Sequence, residues 1–383
     1  SVGLDPSWEI GINLAVQNHM RFGQDFVFTF GPLGILATRL PIGMGRLPLL
    51  IFDAAVMLLL GLAFVFVFRQ TKTYFSATLA FLTIVLLDTV PQYTFGLTNV
   101  LFLLFLFVLF YHLRQGDIAS LVVAAIISWL LFYMKANLGL AAVPLMVGFM
   151  IYLLARPKRL SRVFSATFLG IYLVAGLGAS VLLNVDLPGY VLGSLYLASS
   201  YNDAMISQLG TDNAGTQFAY LALTVVIAYG LAFVADRKLY ARDFDSLLRF
   251  LLVSVFIFLV FKHSFVRAAG HYGFFYFSVP PAIGLLTVFA PPGIRNRLEK
   301  VLILTLILSF PVATRLYTVD HVTTRLTRLR DYTVNALNPT PGPITNPDWE
   351  QQRLPSSTLD LIGDGTVDVM PWEISTAYIN GLT

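Results

Sequence analysis

Acidic side chains near the start of the chain are the first groups that could do chemistry. Asp5 and Glu9 stand at the beginning of a helix-like run, and Asp25 follows it. A carboxylate placed beside a substrate can take the proton from an attacking hydroxyl group. Each acidic residue also has a structural alternative: Asp5 before Pro6 is typical of a helix N-cap, and Asp25 is typical of a side chain that stabilises a turn.

Basic side chains form a second group, in two short polar stretches that separate apolar runs. These residues are Lys135 in one stretch and Lys262, His263, Arg267 and His271 in the other. An Arg side chain offers a phosphate a two-pronged hydrogen bond, and a Lys side chain offers a point charge. The alternatives are snorkelling of long side chains from helix ends and attraction to anionic lipid headgroups.

The segment 185–215 combines ring and amide side chains suited to a sugar. Tyr190, Tyr196, Tyr201, Asn202 and Asp203 could stack on a sugar ring or hydrogen-bond its hydroxyl groups. Tyrosines are equally expected at a membrane interface, where their rings form a belt.

Composition determines what kind of element positions these groups. Only 12% of the residues are charged, 57% are hydrophobic, 32 are Phe, and the mean hydropathy is +0.75. A water-facing fold cannot hide so much apolar surface, so we expect an all-α polytopic membrane protein. The absence of cysteine excludes disulfides, thiolate catalysis and Cys-ligated metals. The net charge of +4 comes without a nucleic-acid-binding motif, so no nucleic-acid partner is expected.

Apolar runs bounded by charged or turn residues predict about ten transmembrane helices. The predicted spans are 47–68, 74–90, 97–113, 117–133, 138–155, 163–184, 216–235, 247–261, 272–290 and 300–318. Asp53 and Asp88 fall within or near these spans, where an unpaired charge costs a few kcal/mol. Either could face a polar cavity, and Asp53 could also mark a wrong boundary.

Lys and Arg residues separate the connecting loops into two alternating sets, which predicts the orientation. The basic set, which contains Arg114 among others, is predicted to be cytoplasmic. The other set is predicted to be extracytoplasmic and comprises 1–46, 91–96, 134–137, 185–215, 262–271 and the tail from 319. Both long ends of the chain therefore lie outside, and the positive charges at 135 and 262–271 stand against the rule.

Three regions follow from this pattern: a first extracytoplasmic loop with an in-plane amphipathic helix at 1–46, a transmembrane bundle at 47–318, and an extracytoplasmic linker with the start of a soluble α/β segment at 319–383. Four prolines mark the linker, and 366–370 has strand character before a helix start at Pro371-Trp372-Glu373. We expect a further helix upstream, as a signal anchor or a processed signal peptide, and a C-terminal domain truncated at Thr383.

The first outer segment resembles the first extracytoplasmic loop of the GT-C superfamily of membrane glycosyltransferases. The resemblance covers about forty residues, namely Gly3-Leu4-Asp5-Pro6-Ser7-Trp8-Glu9, the helix-like run and Phe28-Thr29-Phe30-Gly31-Pro32-Leu33-Gly34. Together with Phe261 to Arg267, it is also similar to uncharacterised bacterial membrane proteins of this type. The implied fold is a GT-C-like helical bundle in the bacterial inner (plasma) membrane.

The resemblance implies an inverting transferase that moves a sugar from a polyprenyl-phosphate-linked donor to a glycan, lipid or protein acceptor. It places the catalytic carboxylate at Asp5, with Asp25 as second candidate. The candidates for holding the donor phosphate are the cations named above, Lys262, His263, Arg267, His271 and Lys135. Glu9, Tyr201 and Asp203 are candidates for acceptor or sugar contacts. Many such enzymes have two adjacent acidic residues where this chain has Asp5 alone, so a divalent metal has no paired acidic motif to hold it and no metal ligand is assigned.

Two alternative functions remain open at this stage. The same charges could line the path of a transporter or flippase, for which Pro280-Pro281 and Pro311 would interrupt the helices. A polysaccharide polymerase or ligase would also keep basic residues in outer loops and use lipid-linked glycans.

Overall fold

The computed structural model describes residues 4–40, 42, 45–70, 93–156, 162–205, 213–265, 271–316, 323, 327, 352–365, 367 and 374–382, without the side chains of 4–6, 46, 93–95, 200–205, 213 and 374. The first segment contains α1 (Leu4–Gln17), a 3-10 turn η1 (Pro32–Gly34) and α2 (Ile35–Thr38). The long helices are α3 (Arg46–Gln70), α4 (Tyr93–Gln115), α5 (Ile118–Met134), α6 (Ala136–Ala155), α7 (Arg162–Leu182), α8 (Leu187–Met205), α9 (Asn213–Arg242), α10 (Phe244–Phe265), α11 (Tyr272–Phe289) and α12 (Pro292–Leu316). Two short helices, α13 (Ser356–Ile362) and α14 (Ile374–Ile379), follow in the tail.

Seven of these helices are long and apolar enough to cross a membrane. They are α3, the Gly96–Gln115 part of α4, α6, α7, the Ala214–Arg242 part of α9, α10 and α11, and α5 is a shorter apolar helix. Nine of the ten predicted spans therefore coincide with helices, while 74–90 lies outside the described residues. Helix α10, Phe244–Phe265, is longer than the predicted span 247–261.

Large exposed apolar side chains support the membrane assignment. Helix α3 is the most apolar of the candidate spans, yet little of it is buried inside the protein. Helix α7 likewise exposes Val163, Val174, Val181 and Leu182. Water does not tolerate a continuous apolar surface of this extent, whereas lipid chains do. The chain is therefore an all-α polytopic membrane protein, as the composition predicted.

Helix α11 forms the centre of the bundle. It packs against α3, α4, α9, α10 and α12, and nearly all of its residues are buried. Pro280 and Pro281 lie inside α11, and Pro311 lies inside α12, without dividing either helix. The interruptions expected for a transporter at these prolines are therefore absent from the two helices.

The connections meet at two opposite ends of the bundle. At one end, here called the α1 end, the backbone of Phe22 pairs with that of Asn184 (N to O, 3.0 Å) and of Asp186, and Phe30 pairs with Lys135. At the other, the Arg114 end, Arg114 donates to Gln70 (2.9 Å). Each of these contacts joins connections that the charge pattern assigned to the same set.

The segment 185–215, which was predicted to be a connecting loop, contains a helix, α8. Asp186 caps the start of α8, because its carboxylate accepts a hydrogen bond from the Gly189 backbone N–H at 3.0 Å. The same carboxylate lies 3.5 Å from the Arg21 guanidinium group. In the tail, the described residues are helical, and the predicted strand at 366–370 and the helix start at 371–373 lie largely or wholly outside them. Helix α14 packs on α1, and the hydroxyl oxygens of Ser7 and Ser375 lie 3.1 Å apart.

Candidate functional site

Aromatic rings line one side of the first outer segment. Phe26, Phe28 and Phe30 stand two residues apart in the segment between α1 and η1. The ring centroids of Phe26 and Phe28 are 6.2 Å apart, and those of Phe28 and Phe30 are 6.3 Å apart. Trp8 of α1 stacks on Phe30 at 4.9 Å. These four residues form a continuous surface, here called the aromatic row.

Backbone hydrogen bonds fasten the aromatic row to the junction of α5 and α6. The Ala136 N–H donates to the Thr29 carbonyl at 2.9 Å, and the Gly31 N–H donates to the Met134 carbonyl at 3.3 Å. A side chain at Gly31 would place its Cβ 2.4 Å from the Tyr133 carbonyl oxygen, a distance that no real Cβ tolerates. The Phe-Gly-Pro turn therefore needs glycine because the backbone comes so close to α5.

Lys135 is the single residue between α5 and α6, and it is 4% exposed. Its extended backbone breaks the helical run, and its ammonium group lies 5.1 Å from the centroid of the Phe30 ring. Burial lowers the pKa of Lys135 well below its usual value, because the charged form loses its hydration. A snorkelling lysine would keep its amine in water, so the structure disagrees with that alternative.

Two histidines lie on the same side of the bundle as Lys135. His263 is in the last turn of α10, and His271 stands at the start of α11. Their ring centroids are 6.0 Å apart, and His263 stacks on Phe274 at 5.1 Å. His263 is close enough to both Lys135 and His271 to interact with them electrostatically.

Lys135, His263 and His271 are here called the basic cluster. They come from three separate parts of the chain, and Lys135 and His271 are both less than a tenth exposed. Phe30 links the cluster to the aromatic row. Buried basic groups beside stacked rings are suited to an anion that carries an apolar or ring-shaped group.

The other predicted phosphate ligands are placed differently. Lys262 is exposed and lies outside the basic cluster, although it is adjacent to His263 in sequence. Arg267 lies outside the described residues. Three of the five predicted cations are therefore brought together by the fold.

The acidic candidates are only partly described. Asp5 lies in the first turn of α1, and its side chain is outside the described part. Glu9 is half-buried on α1. The Asp25 carboxylate accepts from the Arg21 backbone N–H at 2.9 Å and is exposed, which is the local turn contact considered as the alternative to catalysis.

The tyrosine-rich segment contains a structural residue, an exposed tyrosine and positions without described side chains, and the exposed one is Tyr196. Tyr190 is buried, and its hydroxyl donates to the Phe132 carbonyl at 2.9 Å. It holds α8 against α5 instead of facing a sugar. Tyr201 and Asp203 belong to α8, but their side chains lie outside the described part.

Sequence reasoning missed several groups that organise the site. The partner of Asp53 is Arg39, at 2.7 Å, and an acidic residue inside an apolar helix was the signal that a partner must exist. Asn13 is fully buried on α1 and donates to Thr38 at 2.7 Å, which joins α1 to α2. The contact of Lys135 with Phe30 had no signal in the sequence.

Within the described part of the chain, no three His, Asp or Glu side chains are grouped as a metal site would require. Searches against protein-family models, curated proteins and solved structures find no match to this chain. The geometry at the α1 end is therefore the basis for assigning a function to this protein.

Proposed function

We propose that this protein is a membrane glycosyltransferase of the GT-C type. It transfers a sugar from a polyprenyl-phosphate-linked donor to a glycan, lipid or protein acceptor at the extracytoplasmic face of a bacterial plasma membrane. One observation carries the proposal: Lys135, His263 and His271, which the charge pattern marked as misplaced cations, meet at the α1 end beside the aromatic row.

Charge chemistry is the first support. The bond that breaks in such a reaction joins the anomeric carbon to a phosphate oxygen, and negative charge grows on the departing polyprenyl phosphate. Fixed basic groups in a site shielded from water stabilise that charge far better than they would in bulk water. The burial of Lys135 and His271 gives the basic cluster this property.

The position of α1 is the second support. It lies next to the basic cluster through the stacking of Trp8 on Phe30. Asp5 is in the same helix, one turn before Trp8. In the proposed step, the Asp5 carboxylate takes the proton of the acceptor hydroxyl, whose oxygen bonds to the anomeric carbon as the phosphate leaves with the bonding electrons.

A transfer assay tests the proposal. Purified protein in lipid vesicles receives a radiolabelled polyprenyl-phosphate sugar and a membrane extract as acceptor source. We expect Asp5→Asn to lower the rate about 100-fold or more, as loss of a general base does. Lys135→Met should lower it about tenfold to 100-fold through lost stabilisation of the phosphate.

Lys238→Met is the matched control, because Lys238 is exposed on α9 near the Arg114 end. It should transfer sugar at the unaltered rate. Unaltered rates in both Asp5→Asn and Lys135→Met would refute the proposal. Uptake of a lipid-linked sugar into the vesicles without any glycosidic product would instead support a transporter.

Orientation is tested separately with introduced cysteines, which are clean labels because the chain has none. Gln24→Cys lies at the α1 end and Lys238→Cys near the Arg114 end, and both positions are exposed. A membrane-impermeant maleimide added to intact cells should label the first and spare the second. Labelling of Lys238→Cys alone would reverse the orientation and exclude an extracytoplasmic site.

A further inference from the structure

The basic cluster places three groups that can each carry a positive charge within electrostatic reach of one another. Lys135 comes from the α5–α6 junction, His263 from α10 and His271 from the start of α11. Like charges at this separation oppose each other, and burial removes the water that would weaken the repulsion.

Without an anion, the cluster therefore holds fewer protons than its three groups can bind. Burial keeps the pKa of Lys135 well below its usual value. A phosphate brought into the cluster reverses this balance, because its negative charge favours the protonated form of every neighbouring base. Protonation and phosphate binding must then assist each other to the same extent.

We propose that the basic cluster binds a phosphate group together with protons taken up from solution, so that its affinity for the phosphate rises as the pH falls. This inference rests on the proposed function, since it concerns the site assigned to the donor phosphate. It goes beyond that function because it gives phosphate binding a pH dependence. A phosphate site built from Arg side chains has no such dependence, since Arg stays charged.

Other titratable groups lie on the elements that surround the cluster. They are Glu9 on α1, Tyr133 on α5, Tyr272 on α11 and Lys262 on α10, of which Lys262 is exposed. Substitutions within the cluster therefore decide which groups take up the protons.

The rings around the cluster indicate the class of ligand. Phe30 lies beside Lys135, and Phe274 stacks on His263. The Phe30 ring continues into the aromatic row, whose members Trp8, Phe26 and Phe28 are only half-buried. A phosphodiester attached to an apolar chain matches both surfaces, because the charge meets the bases and the chain meets the rings.

Isothermal titration calorimetry on the purified full chain in detergent tests the proposal. The probe is a short-chain polyprenyl methyl phosphodiester, which has no titrating proton of its own near neutral pH. Measurement in two phosphate-free buffers with different ionisation enthalpies gives the number of protons taken up. We expect net uptake, and about a tenfold gain in affinity per pH unit where one proton is taken up.

Two further probes separate the sources of the phosphate. Dimethyl phosphate carries the charge without the chain, and the matching polyprenol carries the chain without the charge. If the polyprenyl diester binds much more tightly than dimethyl phosphate, the natural ligand is a lipid-borne phosphate. If dimethyl phosphate binds as tightly as the polyprenyl diester, the natural ligand is a free phosphate ester. Either result supports the proposal when it comes with proton uptake, whereas equal binding of the polyprenol overturns it.

Variants assign the protons to the cluster. Lys135→Arg keeps a permanent charge, so it should still bind the diester but take up fewer protons. His271→Gln should lower both affinity and uptake, and it keeps the proposal testable if a Lys135 variant fails to fold. Lys238→Met should bind as the unaltered protein does.

Binding that does not change between about pH 8 and about pH 6, a range that includes the ordinary pKa of histidine, would overturn the proposal even if sugar transfer were found. Proton-linked binding in a protein without transferase activity would leave it standing and remove the proposed function instead. An unchanged proton count in both Lys135→Arg and His271→Gln would also overturn it.

Discussion

The ion pair of Arg39 and Asp53 is the contact whose removal gives the most specific prediction. Arg39 ends α2, and Asp53 lies inside the apolar helix α3. Two guanidinium nitrogens contact the carboxylate, one at 2.7 Å and the other at 2.9 Å, and the side chains are 23% and 18% exposed. The pair therefore links the segment that carries the aromatic row to the bundle.

The magnitude follows from distance and burial. Opposite charges about 4 Å apart attract by about 4 kcal/mol at an effective dielectric constant of about 20. Desolvation of both groups cancels part of this attraction. An exposed ion pair stabilises a protein by about 0 to 1 kcal/mol, and breaking a buried ion pair costs about 3 to 5 kcal/mol. The Arg39–Asp53 pair is intermediate in exposure between these two cases. We expect a coupling energy of about 2 kcal/mol.

A double-mutant cycle measures this coupling. Asp53→Asn, Arg39→Met and the double variant are unfolded by increasing SDS in mixed micelles, and the loss of structure is followed by tryptophan fluorescence. Each single variant should lose about 2 to 3 kcal/mol, and the double variant should lose about 2 kcal/mol less than their sum.

Two controls separate the ion pair from other effects. Arg39 has a positive φ of 57°, so Arg39→Gly should lose about 1 kcal/mol less than Arg39→Met by relieving the backbone. The Arg21–Asp186 pair has the same chemistry at 3.5 Å with 50% and 32% exposure, and its coupling should stay below about 1 kcal/mol. Equal coupling in the two pairs would refute the argument from burial.

Two further predictions concern packing at the α1 end and between helices. The double variant Ser7→Cys, Ser375→Cys should form a disulfide on mild oxidation, because the two hydroxyl oxygens are 3.1 Å apart and both residues are buried. Mass spectrometry detects the cross-link, and Ser7→Cys alone is the control. If no cross-link forms, α14 does not pack on α1. Gly176→Ala should destabilise the protein by about 1 to 3 kcal/mol in the SDS assay, since its Cβ would lie 1.9 Å from the Trp129 ring. Gly178→Ala meets no atom within 4 Å and should cost less than about 0.5 kcal/mol. Equal losses would contradict the packing of α7 on α5, where the Tyr133 hydroxyl donates to the Gly176 carbonyl.

Hydropathy allowed the membrane class and most helices to be predicted from the sequence. A membrane span must satisfy its backbone internally and present apolar side chains over a fixed length, so a run of apolar residues is enough to locate it. The helix ends were less well predicted. The predicted span 247–261 proved to be α10, Phe244–Phe265, because polar residues such as Asp245 and Lys262 extend a helix beyond its apolar part.

The candidate site was predictable only in part. Lys135, His263 and His271 were identified because positive charge on the side predicted to be extracytoplasmic is unusual. The same rule gave equal standing to Lys262, which the structure shows exposed one residue before His263. Positions next to each other in a helix differ by about 100° in direction, and no feature of this segment's sequence shows which direction faces the protein.

By itself, the sequence determined that this chain lies in a membrane and where its long helices run, since these properties depend on the composition of contiguous segments. Only the tertiary structure decided that Lys135 lies against Phe30 and near two histidines more than a hundred residues away, and that Asp53 has Arg39 as its partner. Such contacts depend on how helices pack. Packing is settled by the shapes and burial of many side chains at once, which no local pattern records.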